Sequence, residues 1–133
     1  ISKMSLSEIV KGSEAIISVD ARGFIFGSAI ALNTSMPMIV ARKPGKLPGK
    51  IIEQKYNLEY GKNSLSIQQK ALEKFNSFVI VDDLLATGGT VQCVANILKS
   101  NNKKIKGLVT VVELSNLGGR KKFNFPVESV ILY

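Results

Sequence analysis

The sequence predicts an α/β fold: a three-layer sandwich with a mainly parallel central sheet covered on both faces, and a flexible basic loop and flap over about residues 43–66. Three observations predict it. Short apolar runs rich in β-branched residues recur along the chain, stretches of helical character separate them, and the runs stop at polar, Gly or Pro clusters. At 133 residues the chain suits one domain with a real core and is too short for two ordinary ones, so a single domain over residues 1–133 is expected.

The elements follow in order. Leu6 to Val10 is helix-like, and Ala15 to Val19 is a buried strand that runs into Asp20-Ala21-Arg22-Gly23. Phe24 to Leu32 is mostly apolar and predicts a buried helix. A second strand, Met38 to Ala41, enters Arg42 to Lys50, where two prolines and two glycines forbid a regular element and predict an exposed, mobile, basic loop. Ile51 to Ile67, with Gly61-Lys62-Asn63-Ser64 as turn chemistry, predicts a hairpin or flap.

Phe78 to Val81 is a central strand ending at Asp82-Asp83. After the turn Thr87-Gly88-Gly89-Thr90, Val91, Val94, Ala95 and Leu98 stand at i, i+3, i+4 and i+7, one face of a helix turned to a core. Ile105 to Val112 and Val127 to Leu132 complete the strands. In open parallel sheets ligands sit at the carboxyl ends of the strands, so the chemistry is expected just after Val19, Ala41, Val81 and Val112.

Composition narrows that chemistry. Cys93 is the single cysteine and there is no histidine. Disulfides within the chain, Ser-His-Asp triads, Cys-His dyads and Cys/His zinc sites are thereby excluded. Catalysis must use carboxylates, Lys, Arg, backbone amides or a metal held by oxygen. Eighteen Lys and Arg against 10 Asp and Glu give a net charge of +8, a field that attracts polyanions, whether nucleic acid or a small phosphorylated substrate. No apolar run approaches the roughly 20 residues needed to cross a bilayer, and Ile1 to Ile9 lacks signal-peptide character, so no membrane partner and a cytoplasmic location are expected. The chain begins at Ile1 without an initiator methionine, as a fragment or processed chain would.

The strongest signal is Val79-Ile80-Val81-Asp82-Asp83-Leu84-Leu85-Ala86-Thr87-Gly88-Gly89-Thr90. An apolar strand delivers two adjacent carboxylates to its end, and a hydroxyl-and-glycine turn then opens a helix whose first amides are free to hold a phosphate. The glycines let the backbone approach the anion, and Thr87 and Thr90 add hydroxyls. The acids sit where a ribose diol or a hydrated magnesium ion could be held beside that phosphate. The turn lacks the Gly-Lys-Ser/Thr of a P-loop, which disfavours a nucleoside triphosphatase.

This stretch resembles the phosphoribosyl pyrophosphate motif of type I phosphoribosyltransferases, in the wording of their adenine-salvage branch. The resemblance extends to Asp20-Ala21-Arg22-Gly23-Phe24-Ile25-Phe26-Gly27, Arg42 to Gly49, Tyr56 to Gly61, and Val112-Glu113-Leu114 with Gly119-Arg120, which together span Ala15 to Tyr133.

What the resemblance implies is specific. Asp20, Ala21, Arg22 and Gly23 match the pyrophosphate loop, which in the family often carries a non-proline cis peptide near Asp20-Ala21. Arg42, Lys43 and Lys46 would also meet the pyrophosphate, in a family whose members are commonly homodimers. Glu59 matches an acid in a closing loop that assists at the imidazole ring of the base, with Tyr60 and Tyr56 excluding water. Asp82 and Asp83 would bind the ribose hydroxyls and favour positive charge on the sugar, and both are candidate magnesium partners through water. Ala86, Thr87, Gly88, Gly89 and Thr90 would cradle the 5′-phosphate, and Leu114 would wall the purine.

The implied reaction transfers the phosphoribosyl group of phosphoribosyl pyrophosphate to adenine, giving AMP and pyrophosphate, with Mg2+ as cofactor. Two features depart from the family pattern: the N-terminal hood over the base is missing, so the chain is expected to be N-terminally truncated, and Ser18 stands where a Gly is usual. One alternative keeps the fold as a non-catalytic sensor of phosphoribosyl pyrophosphate or a purine; another is a transferase for a different purine. A nucleic-acid binder is disfavoured because many basic residues lie in Pro/Gly loops and the helix from Thr90 to Leu98 carries none.

Overall fold

A computed structural model describes residues 1–58 and 61–133. Two short helices, α1 (Ser2–Ser5) and α2 (Glu8–Lys11), precede strand β1 (Ala15–Val19), helix α3 (Gly23–Thr34) and strand β2 (Met38–Ala41). The hairpin strands β3 (Ile51–Leu58) and β4 (Gly61–Gln68) and the short helix α4 (Gln69–Glu73) follow. The chain closes with β5 (Ser77–Leu85), α5 (Gly89–Ser100), β6 (Lys104–Glu113), a pair of 3-10 turns over Ser115–Leu117 and Gly119–Lys122, and β7 (Val127–Leu132).

Five strands form one sheet in the order β2-β1-β5-β6-β7, with every neighbouring pair parallel. This is the predicted mainly parallel sheet, and its central strands are apolar on successive residues because both faces are covered. On one face Ile16, Val79, Val81 and Val109 pack with Met4, Ile9, Val10 and Ile30 from the first three helices. On the other, Ile17, Phe78, Ile80 and Leu108 pack with α5 and with Leu65 and Ile67 of the hairpin. Each such side chain, fully buried, contributes about 1.5–3 kcal/mol relative to exposure.

The predicted helical face of α5 is the observed one: Val91, Val94, Ala95 and Leu98 are all buried. The flap is an antiparallel hairpin, β3 on β4, tied to the main sheet through paired backbone hydrogen bonds between Arg42 and Ser66. The basic loop after Ala41 forms no regular element up to Lys50, as its prolines and glycines require.

The structure differs from these expectations in four places. The helix-like opening is two helices, because Ser7 accepts the Ile9 N–H at 3.1 Å and so starts α2 afresh. Helix α3 is not buried all round, since Ile25 and Leu32 are exposed on its outer side. Strand β5 does not stop at Val81 but runs to Leu85, because Asp82, Leu84 and Leu85 keep their pairing with Thr110, Val112 and Glu113 of β6. Helix α4 went unread, being a five-residue element with only Leu72 buried.

Candidate active site

The carboxyl ends of β1, β2 and β5 meet at a cleft of about 380 Å³ whose walls are the Asp20–Arg22 turn, Lys43 and the stretch from Asp82 to Val91. The Asp20–Ala21 peptide is cis, as the resemblance implied. Asp20 fastens two loops together. Its N–H donates to Ala41 O at 2.9 Å, and its Oδ2 accepts from Arg42 Nε at 3.2 Å and from the Lys43 N–H at 3.4 Å. The Arg42 guanidinium also lies 5.8 Å from the centre of the Phe24 ring, a cation–π distance. Arg42 is thereby committed to the loop junction, while Lys43 reaches the cleft.

Opposite this turn stand the two acids of β5. Asp83 holds the Nε of Arg22 in an ion pair, and that hydrogen bond raises the Arg22 guanidinium pKa. Asp82 is more enclosed, with its Oδ1 accepting the Asp83 N–H at 2.8 Å. Burial pushes the Asp82 carboxyl up to about 7, because desolvation penalises the charged form and the Asp83 N–H bond offsets only part of that. Among the described residues no group of three or more potential metal ligands occurs. A divalent cation here fits only as a partner of the acid pair through water and substrate oxygens, the manner in which magnesium is usually held.

Beyond the acids the chain turns through Ala86 and Thr87 into α5. Gly88 is the N-cap residue, at φ +86°, and no side chain caps the helix. The left-handed conformation favours glycine, and an uncapped start leaves first-turn amides without intrahelical partners, ready for an anion. Thr87, Gly88, Gly89 and Thr90 all line the cleft.

Of the residues singled out from sequence, Asp20, Ala21, Arg22, Lys43, Asp82, Asp83 and Ala86 to Thr90 line one cleft. Gly23 begins α3 with its Cα side against Asp82, where an added Cβ would lie 3.0 Å from Oδ1. Lys46 is exposed and is not part of the cleft wall; Leu114 is half-buried, its N–H on Leu85 O at 2.9 Å, and also stands outside the wall. Glu59 and Tyr60, and the Tyr56 side chain, lie outside the described residues.

Two neighbours of the cleft were given no role by the sequence. Glu113, buried at the end of β6, accepts a two-pronged bond from Arg120, Nε to Oε1 at 2.9 Å and Nη2 to Oε2 at 2.5 Å. The Arg120 fork holds the Glu113 carboxyl below the usual carboxylate range, and Ser129 Oγ adds a hydrogen bond at 2.5 Å. Gly119, next to Arg120, abuts the phosphate-type turn from behind. The Gly119-Arg120 pair is visible in the sequence, but its contact with Ala86 spans more than thirty residues of chain and has no local signal.

The geometry defines a class, an α/β enzyme core with an anion-binding turn beside paired acids, and sequence comparison gives it a family. The profile of the phosphoribosyl transferase domain matches residues 3–130. An adenine phosphoribosyltransferase of Prochlorococcus marinus is 65% identical over 98% of this chain and 77% of its own length. That of the subspecies pastoris is 70% identical over 96% of this chain and 74% of its own. The crystal structure of adenine phosphoribosyltransferase from Thermoanaerobacter pseudethanolicus superposes with a TM-score of 0.88 at 37% identity, covering 99% of this chain and 80% of that one. The Saccharomyces cerevisiae enzyme, solved with an imino-altritol bisphosphate and adenine, gives 0.81 at 32% identity, over 89% of this chain and 67% of that one. The chain belongs to the phosphoribosyltransferase family, in its adenine phosphoribosyltransferase branch.

Proposed function

We propose that the chain transfers the phosphoribosyl group of phosphoribosyl pyrophosphate to adenine, forming AMP and releasing pyrophosphate, as a step of purine salvage. The observation that carries this reading is the meeting, in one cleft, of the Asp82–Asp83 pair, the uncapped glycine start of α5 and Arg22 on the facing wall. The adenine phosphoribosyltransferases at 65% and 70% identity support the choice of adenine.

In this reading the amides and hydroxyls from Ala86 to Thr90 hold the 5′-phosphate, and Asp82 and Asp83 hold the ribose hydroxyls. Arg22, Lys43 and the backbone of the Asp20–Gly23 turn receive the diphosphate, a task suited to a guanidinium fork. Arg42 and Lys46 add positive charge from the basic loop. The bond from ribose C1 to the diphosphate oxygen breaks, and its electron pair leaves with pyrophosphate. The lone pair of a purine nitrogen forms the new bond to C1 with inversion, and the proton of that nitrogen passes to solvent. The acid pair stabilises positive charge on the sugar as the first bond lengthens. Glu59 hydrogen-bonds the imidazole ring of the base, Tyr60 helps close the flap, and Leu114 forms an apolar wall for the purine. Magnesium, when bound, supplies charge neutralisation on the diphosphate.

The reading includes a homodimer, supported by the exposed Ile25 and Leu32 on the outer side of α3, seven residues apart on one helical stripe. It also includes a cytoplasmic setting and a single catalytic domain. No helix among the described residues is long and apolar enough to cross a membrane. The test is formation of AMP and pyrophosphate from adenine, with hypoxanthine and guanine as competing bases. AMP formation with adenine preferred supports the reading, and a preference for either other purine overturns the choice of base.

A further inference from the structure

We infer that Gly119, locked in place by the Glu113–Arg120–Ser129 cluster, is a positioning residue for the 5′-phosphate turn. The inference rests on the reading that Ala86 to Thr90 hold that phosphate. Gly119 and the turn meet backbone to backbone. A Cβ on Gly119 would lie 2.3 Å from Ala86 O and 3.1 Å from the Gly88 N, and a Cβ on Gly88 would lie 3.2 Å from Gly119 O and 3.1 Å from Phe123 Cζ. Neither glycine has room for a side chain, and the obstructing atoms are largely backbone, which cannot swing aside. Gly88 lines the cleft where the phosphate is proposed to sit, so a shift of Gly119 moves a residue of the ligand-facing turn directly.

The segment carrying Gly119 has little apolar anchorage of its own. Among residues 115–122 only Gly119 is buried, and the segment is two 3-10 turns rather than a longer element. Besides the Ser115 N–H bond to Tyr133 O at 2.7 Å, its side-chain anchor is Arg120. Its fork is seated on the buried Glu113 carboxylate, and its Nη1 donates to Val127 O at 2.7 Å, so the arginine spans from the end of β6 to the start of β7. Ser129 Oγ donates to Glu113 Oε2 from β7. A planar guanidinium satisfying two carboxylate oxygens and a carbonyl at once has one orientation, which a lysine cannot reproduce. The sheet thus transmits its rigidity through Glu113 and Arg120 to Gly119, and through Gly119 to the turn. The Asp20–Arg22 turn has no hydrogen bond to this cluster: it is held by Ala41, Arg42 and Lys43 and by the Arg22–Asp83 ion pair.

That separation supplies the test. Ribose 5-phosphate probes the phosphate turn and inorganic pyrophosphate probes the Asp20–Arg22 side, so both are titrated calorimetrically into the full-length protein and into Gly119→Ala, Arg120→Gln and Arg120→Lys. The expected result is about tenfold weaker ribose 5-phosphate binding in Gly119→Ala and Arg120→Gln, the size of one lost charge-assisted hydrogen bond. Pyrophosphate affinity is expected to stay within about twofold, because the cluster is hydrogen-bonded to neither Arg22 nor the rest of the Asp20–Arg22 turn. Arg120→Lys, which keeps the charge and loses the fork, is expected to weaken ribose 5-phosphate alone and serves if the other variants fail to fold. Equal losses for both ligands would reduce the cluster to general scaffolding and overturn the inference, as would unchanged ribose 5-phosphate binding in folded variants. Failure of the unmutated protein to bind ribose 5-phosphate would instead overturn the reading of the turn itself.

Discussion

Arg22 and Asp83 are ion-paired across the cleft, joining the turn after β1 to the acid pair of β5. In the proposed reaction the two face different parts of one substrate, the diphosphate and the ribose. The pair must therefore open when substrate binds, with the guanidinium exchanging one carboxylate for the oxygens of the leaving group. Asp83→Asn removes both the competitor and a negative charge near the incoming anion. Pyrophosphate alone is expected to bind Asp83→Asn at least as tightly as the unmutated protein, and ribose 5-phosphate more weakly. Weaker pyrophosphate binding in this variant would show that Asp83 orients Arg22 rather than competing for it.

Asp82 makes stability depend on pH. Its carboxyl is raised to about 7 in the folded chain from an unfolded value near 3.8. A raised carboxyl binds its proton more tightly when folded, so its contribution is fully present below the unfolded value and is lost as pH rises through about 7. Asp82→Asn mimics the protonated form and removes this dependence. Melting temperatures of the ligand-free proteins are expected to converge below about pH 3.8, with the unmutated protein falling progressively below Asp82→Asn as pH rises to about 7. A parallel pH profile for the two would show that folding leaves the Asp82 carboxyl unshifted, and would contradict this account.

Ser18 and Gly27 fit as a pair. A Cβ on Gly27 would lie 2.3 Å from Ser18 Oγ and 2.6 Å from Ser18 Cβ, so the strand can carry a serine here only because the helix offers a glycine. Gly27→Ala is expected to cost about 1–3 kcal/mol by overpacking, and Ser18→Gly in the same chain to recover most of that loss. Ser18 Oγ is buried without a hydrogen-bond partner, so Ser18→Ala is expected to be neutral or stabilising by about 1 kcal/mol. Urea unfolding of the single and double variants measures both effects; simple additivity would contradict the pairing.

How much of this was legible in the sequence depended on distance along the chain. The acid pair, the glycine turn and the helix after it are contiguous from Val79 to Leu98, and their strand-turn-helix pattern is local. The basic loop declared itself through Pro44, Gly45, Pro48 and Gly49. The end of β5 did not, because Asp82 and Asp83 look like a strand exit until β6 supplies their partners. Nor did the exposed side of α3, whose apolar residues surround the helix and give no polar stripe to mark solvent. The acid pair's unequal environments and the brace at Gly119 arise from contacts between segments far apart in sequence, which residue patterns do not encode.

Glu59 stands apart in the sequence from the residues of the cleft wall, between Leu58 and Tyr60. If it assists at the imidazole ring in the transition state, Glu59→Gln lowers kcat by about 10²-fold, the lower end for an acid–base group, with little change in the KM for phosphoribosyl pyrophosphate. Steady-state kinetics with both substrates varied separate the two constants. A rise in KM at unchanged kcat would assign Glu59 to binding alone.

The most direct test of the account is the reaction itself, run by the protein in its full natural length with adenine, phosphoribosyl pyrophosphate and magnesium, beside an Asp82→Asn/Asp83→Asn variant. The account predicts AMP and pyrophosphate in equal amounts from the unmutated protein. In the variant it predicts kcat/KM reduced by about 10²-fold or more, the order of loss when charge stabilisation at a reacting centre is removed. Tight binding of phosphoribosyl pyrophosphate with no product from adenine, hypoxanthine or guanine would contradict it, and would leave a phosphoribosyltransferase fold that senses its ligand without turning it over.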